Sequence, residues 1–272
     1  MTALFPTILR GIGDSYVQLC LGCTFCFGLE LVWPAGVCSI RSRLKSALFW
    51  ATGGAVTIVS AATFLALIGA LHIQPLVRLS PSGLTMPFGE AGLVLAAIAG
   101  LLASSLVGDF FFYWLHRALH HFPLLWRIHR VHHSIRALSG WSSYSHIGDG
   151  LLQIPFVMLP WVLMVGADTA LVPVAVVGLL RVQGYFIHSS TKLSLGPLRY
   201  LFCDNRFHRL HHSTDPQHFD RNFGNFSTIW DSAFGTAYFP RKDEWPAVGL
   251  ENVPEPRTLS EYLLLPFQSS GS

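Results

Sequence analysis

Thirteen of the 272 residues are histidine, and they are unevenly placed. Seven lie between His116 and His146, and three lie between His208 and His212. Their spacing is regular. His116 and His120 are four apart, and His129-Arg130-Val131-His132-His133 and His208-Arg209-Leu210-His211-His212 repeat one HxxHH pattern. At about 100° per residue, steps of three and four return to one face of a helix. Neutral imidazole is the commonest metal ligand. The clusters supply two, three and three imidazoles, His188 adds a ninth, and His146 is a tenth candidate. One tetrahedral zinc takes about four ligands, so two metals are expected. An imidazole-rich, carboxylate-poor site with open positions suits iron that must bind oxygen, although the same donors accept zinc during purification. His121 points about 100° away from His120 and is left out. His72 and His218 stand alone and read as structural.

Metal-bound imidazoles need partners that fix their orientation. Asp109 lies seven residues before His116, on nearly the same helix face, and is one candidate. Asp204 and Asp231 are the others. Glu30 is a further acid inside an apolar run, where ionisable residues are functional candidates by default.

The elements that must carry these residues are set by composition. The chain is 51% hydrophobic and 12% charged. A soluble domain carries roughly 25% charged residues, so an ordinary soluble enzyme is excluded, as is disorder. The net charge of +3 is dispersed and forms no basic stripe, which argues against nucleic-acid binding. Ser15 to Ile40, Ser46 to Val77 and Ala91 to Leu115 are each long enough to cross a bilayer, which takes about 20 residues. Met1–Arg10 has little basic character and the first apolar run is long, so a retained span is expected rather than a cleaved leader. The apolar stretch 150–187 breaks at Gly166-Ala167-Asp168 and reads as a helical hairpin whose two ends lie on one side. That brings the histidines before it to the histidines after it. Arg41, Arg43 and Lys45 mark the first loop as cytoplasmic, and Arg117, Arg127, Arg130 and Arg136 follow the third span.

The expected fold is therefore all-α. It is an integral membrane helical bundle of about three spans plus a hairpin, with a cytoplasmic histidine-rich helical cap holding a di-metal site. The expected organisation is N-terminal transmembrane helices over 1–104, a catalytic domain over 105–240 that includes the hairpin, and a C-terminal tail over 241–272.

Further motifs carry the identification. Asp109-x-x-x-Tyr113-Trp114-x-His116-Arg117, Gly184-Tyr-Phe-Ile-His188-Ser and Phe207-His208-Arg209-Leu210-His211-His212-Ser213 stand around the histidine boxes. Asn222-Phe-Gly224-Asn225, Trp230-Asp231 and Phe234-Gly235-Thr236 follow them. With the HxxxH, HxxHH, HxxHH order, these resemble the fatty acid hydroxylase / sterol desaturase superfamily of integral-membrane di-iron enzymes, in its bacterial form. The resemblance covers about residues 105–240. Where many members have His-Pro-x-Glu after the second box, this chain reads His146-Ile147-Gly148-Asp149.

The resemblance implies two iron ions and an O2-dependent oxidoreductase that hydroxylates or desaturates a lipid C–H bond. It implies a lipid entering from the bilayer, and nine firm ligands with water or His146 completing the shell. No phosphate loop or fused haem domain is evident, and Gly11-Ile-Gly13 lacks the third glycine of a dinucleotide fingerprint. No NAD, FAD or haem is therefore expected, and electrons should come from a separate ferredoxin- or cytochrome-like donor. Cys20, Cys23 and Cys26 have iron–sulfur-like spacing but lie in an apolar span without a fourth cysteine at motif spacing, and read as small membrane residues. The expected location is a bacterial inner membrane with the active site on the cytoplasmic side, or alternatively an endoplasmic reticulum membrane. The rival reading is a histidine-rich membrane metal transporter or metal-binding protein. Transport needs ligands near mid-membrane, whereas these clusters sit at span ends. Nothing in the sequence specifies an oligomeric state.

Overall fold

The computed structural model describes residues 4–79, 89–167 and 171–268. Three long helices come first: α1 (Leu4–Val32), α2 (Ile40–Ala70) and α3 (Gly89–His121). The first ends earlier than the apolar run suggests. Trp33-Pro34 interrupts it, and Pro34, which has no N–H to continue a helix, bridges instead to Thr191. Helix α2 restarts with Ser39 as its cap, whose hydroxyl accepts from the Ser42 N–H at 3.1 Å. Its 31 residues reach about 46 Å at 1.5 Å each.

A break at Phe122-Pro123 separates α3 from α4 (Pro123–His133). The hairpin follows. Its first arm runs through α5 (Ile147–Gln153), a π-helical segment Ile154–Met158 and α6 (Leu159–Met164). Its return arm is α7 (Leu171–His188). Near the turn, β2 (Val165–Ala167) pairs in parallel with β1 (Val77–Leu79), the stretch just past α2, with Val77 opposite Val165. The hairpin therefore reaches the far end of α2, and the expected break point is a short strand. Asp168 lies outside the described residues. Among the described residues, four helical stretches are long and apolar enough to cross a membrane: Ile12–Val32, Ile40–Ala70, Val94–His121 and Ile147–Met164. Many of their large side chains face outward, among them Leu21, Phe25, Leu44, Val94 and Leu95. Such a surface calls for lipid rather than water.

The rest is a cap of short helices, α8 (Asn205–His211), α9 (Ile229–Ala233) and α10 (Leu259–Leu264). Two apolar clusters flank the histidines. One joins Phe49 of α2, Val131 of α4, Tyr144 and Tyr262 of α10. The other joins Cys23 and Cys26 of α1, Tyr185 to Ile187 of α7, Cys203 and Phe207 of α8.

Candidate metal centre

Helix α3 delivers His116 and His120, a turn apart, at its last turns. Helix α4 delivers His129, His132 and His133, and α7 ends on His188. Helix α8 is capped by Asp204, whose carboxylate accepts from the Arg206 and Phe207 N–H groups at 3.1 and 2.9 Å, and delivers His208, His211 and then His212. The structure brings these nine imidazoles into two groups. His116, His120, His129, His133 and His211 form one, and His132, His188, His208 and His212 form the other, with ligand atoms within 4.8 Å of one another in each. All are buried except His120, which is partly so.

Five of the nine rings are oriented through Nδ1, while Nδ1 of His208 and of His212 is buried without a hydrogen-bond partner. His116 donates to the Phe223 carbonyl (2.7 Å), His132 to that of Tyr144 (2.9 Å), His188 to that of Gly184 (2.5 Å) and His211 to that of Arg221 (2.8 Å). His129 donates to Asp149 Oδ1 at 2.9 Å. A proton on Nδ1 leaves Nε2 of the neutral ring as a lone pair. The consequence is plain in two contacts. The Nε2 atoms of His116 and His129 face each other at 3.0 Å, as do those of His132 and His188. Two lone pairs repel at that distance unless a cation lies between them. Nε2 of His211 is buried with no hydrogen-bond partner, which a buried polar atom rarely tolerates. The remaining contacts, His120 to His133, His188 to His208 and His208 to His212, run from 3.0 to 3.2 Å. At a metal–nitrogen bond of about 2.1 Å, ligands at right angles lie about 3.0 Å apart and tetrahedral ones about 3.4 Å. The nitrogens are thus spaced as edges of a coordination shell, one in each group.

Burial keeps the outer imidazoles neutral and able to ligate. It lowers His129 to about 3 and His132 to about 4, and it pushes His133, His208, His211 and His212 the same way.

His146 joins neither group. It caps α5, with Nδ1 accepting from the Gly148 N–H at 3.1 Å, and Nε2 faces the Leu263 carbonyl at 3.3 Å. Both ring nitrogens are engaged in these contacts, and the tenth candidate lies outside both groups. None of the three expected orienting carboxylates touches an imidazole. Asp231 accepts from the N–H groups of Phe223 and Gly224, both at 2.8 Å. Asp109 accepts from those of Asn225, Phe226 and Ser227 at 2.8–3.0 Å. Two acids thus hold five consecutive amides, and that loop presents the Phe223 carbonyl to His116. At Gly224 a Cβ would fall 2.3 Å from the Ser227 carbonyl oxygen, so only glycine fits. Asp109 and Asp231 bond the amides of this loop, and Asp204 caps α8.

Among the described residues, the carboxylate that hydrogen-bonds a grouped imidazole is Asp149. It stands where the sequence departs from His-Pro-x-Glu, and that departure was the available signal. The two histidines set aside as isolated and the one pointing away stay out of both groups. His218 lies between Ser213 and Glu244 (2.9 and 3.1 Å). Cys23 and Cys26 pack against Gly140 and Tyr185.

A fatty acid hydroxylase family model matches residues 101–236, half of the chain. Among curated proteins, the ornithine lipid hydroxylase of Rhizobium tropici is 30% identical over 61% of this chain and 49% of its own length. The alkylglycerol monooxygenase of Caenorhabditis elegans is 29% identical over 52% of this chain and 28% of its own. The human lathosterol oxidase is 27% identical over 75% of this chain and 63% of its own. The chain thus spans half or less of the first two relatives. No solved structure matches. The matched span contains all nine grouped histidines and the acids that hold the loop beneath them, and the chain belongs to the fatty acid hydroxylase family.

Proposed function

We propose that this chain is an integral-membrane, O2-dependent lipid oxygenase whose two imidazole groups each hold an iron. The observation that carries the reading is the pairing of inward lone pairs, His116 with His129 and His132 with His188. The relatives named above, a lipid hydroxylase, a monooxygenase and a sterol oxidase, support a lipid C–H bond as the target. Two reduced irons would supply the oxygen-activating power that an unactivated C–H bond demands.

The chain's own groups do the rest. The five tethered Nδ1 atoms fix the planes and tautomers of their rings, which lowers the reorganisation needed as metal binds. Burial excludes water from the pocket between α3, α4, α7 and α8. The apolar faces of α3 and of the hairpin offer a lipid chain a path from the bilayer. Hydroxylation consumes one O2, two electrons and two protons per alcohol and water formed, and the electrons come from a separate ferredoxin- or cytochrome-like donor. Residues 105–240 are the catalytic unit, 1–104 its membrane brace and 241–272 its tail. The site faces the cytoplasm of a bacterial inner membrane, or, as the alternative, of the endoplasmic reticulum.

The test is a comparative lipid profile of hosts expressing wild type or His132→Ala under oxygen. A lipid gaining one oxygen atom only with wild type establishes hydroxylation. Loss of two hydrogens turns the reading to desaturation. An iron-loaded wild type that changes no lipid, in hosts supplied with sterol, ether-lipid and aminolipid substrates and a reduced ferredoxin, refutes it.

A further inference from the structure

Glu30 is a buried acid near the end of α1 that the metal chemistry leaves unused; it is 5% exposed. Its Oε1 accepts from the backbone N–H of Gly140 at 2.9 Å and from that of Ser190 at 3.0 Å. Its Oε2 lies 2.6 Å from Nη2 of Arg43 on α2. The two amides belong to segments that flank the hairpin on opposite sides. Gly140 precedes α5, and Ser190 follows α7. Each leads into the four-imidazole group. Ser190 stands two residues past His188. Gly140 opens the stretch that brings the Tyr144 carbonyl to Nδ1 of His132.

The same end of α1 grips both segments again. The Ala35 N–H donates to the Ser190 carbonyl at 2.9 Å and the Lys192 N–H to the Trp33 carbonyl at 2.7 Å. Cys23 Sγ donates to the Gly140 carbonyl at 3.4 Å. A Cβ on Gly140 would come within 2.6 Å of Cys26 Cβ, so α1 sits directly on that loop. Among the described residues no hydrogen bond from α1 reaches the five-imidazole group or its Nδ1 acceptors. Those acceptors are Asp149 and the carbonyls of Phe223 and Arg221.

We propose that Glu30 is a positioning residue for the four-imidazole group: one carboxylate oxygen joins the segments behind His188 and His132 and so sets the spacing of that pair. Charge-assisted bonds to two amides are stronger than neutral ones, and Arg43 holds the carboxylate in place. Glu30 and Arg43 lie outside residues 101–236. The requirement is therefore one that this chain's N-terminal helices place on the catalytic unit. The inference rests on the two-metal reading above.

The experiment counts iron and measures its affinity in purified, full-length protein in detergent. The protein is stripped, reloaded with ferrous iron without oxygen, and titrated with a competing chelator. Wild type should take up two irons. Glu30→Gln should also take up two, because its amide oxygen still accepts from both N–H groups. Glu30→Ala should keep one iron at wild-type affinity and bind the second at least tenfold more weakly. The double variant Glu30→Met with Arg43→Met should behave like Glu30→Ala. It leaves no uncompensated buried cation, so it separates lost positioning from misfolding. Two irons at wild-type affinity in both the alanine and the double variant overturn this inference alone. Equal loss of both irons in all variants, glutamine included, does the same. A wild type that takes up a single iron overturns the two-metal reading and this inference with it.

Discussion

Among the described residues, Asp149 is the only carboxylate within hydrogen-bonding distance of a grouped imidazole, 2.9 Å from Nδ1 of His129. Replacing it with alanine removes the acceptor and strands a buried N–H. An unpaired buried donor costs about 1–3 kcal/mol. Part of that cost is avoided if the ring moves its proton to Nε2, but that tautomer cannot ligate. Either way the five-imidazole group loses affinity. Partners of this kind are worth roughly 10–100-fold in metal binding, or about 1.4–2.8 kcal/mol, which agrees with the hydrogen-bond figure. Asp149→Asn keeps an oxygen acceptor and should lose less than about tenfold. The measurement is a chelator-competition titration with ferrous iron in a His188→Ala background, where the four-imidazole group is disabled and the remaining iron reports on the five-imidazole group. Wild-type affinity in Asp149→Ala, with helical content preserved, would show that Asp149 does not orient His129.

Two further outcomes follow from the same geometry. His146→Ala should leave iron content unchanged and lower stability by about 0.5–2 kcal/mol, the worth of a helix cap, read as a shift in thermal midpoint; loss of an iron would return His146 to the ligand set. Metal-free protein should weaken as pH falls. His129 and His132 sit at about 3 and about 4 when folded and at 6.5 when unfolded, so between those values only the unfolded chain takes up protons. Stability from these groups is complete above 6.5 and is lost on acidification, by about 1.4 kcal/mol per group for each pH unit below it. From pH 7.5 to 5.5 the pair should cost up to about 3 kcal/mol, measurable by denaturant titration, and a flat profile would contradict the neutral, buried state assigned to them.

The grouping of the histidines was legible in the sequence because a residue type and a helical period both survive in one dimension. His116 to His120 and the two HxxHH repeats carry both signals. The hairpin was legible for a similar reason, since 150–187 is too long for one span and breaks once. What holds the rings was less legible. Four of the Nδ1 acceptors are backbone carbonyls, of Phe223, Tyr144, Gly184 and Arg221, and a carbonyl has no letter of its own. Asp109 and Asp231 stand out as buried acids, but whether such an acid faces a ring or a row of amides depends on how the 223–227 loop lies. Asp149 was overshadowed by its neighbour His146, whose residue type suggested a ligand while its place at a helix start made it a cap. Glu30 was visible as an acid in an apolar run, but its partners Gly140 and Ser190 are joined to it only by folding.

The hairpin can also be viewed mechanically. One end is fixed by His188, Ser190 and the α1 grip, and the other by the pairing of Val77–Leu79 with Val165–Ala167. It resembles a beam clamped at both ends, which cannot swing like a door and can only bow. The place to bow is set by the chain. In the first arm, Pro155 and Pro160 lack N–H donors, and Ile154–Met158 is wound as a π-helix between α5 and α6. Backbone hydrogen bonding in the arm is weakest there, between α5, which leads out of the histidine groups, and β2. A bend confined to that segment would leave the histidine-bearing ends of the hairpin where they are.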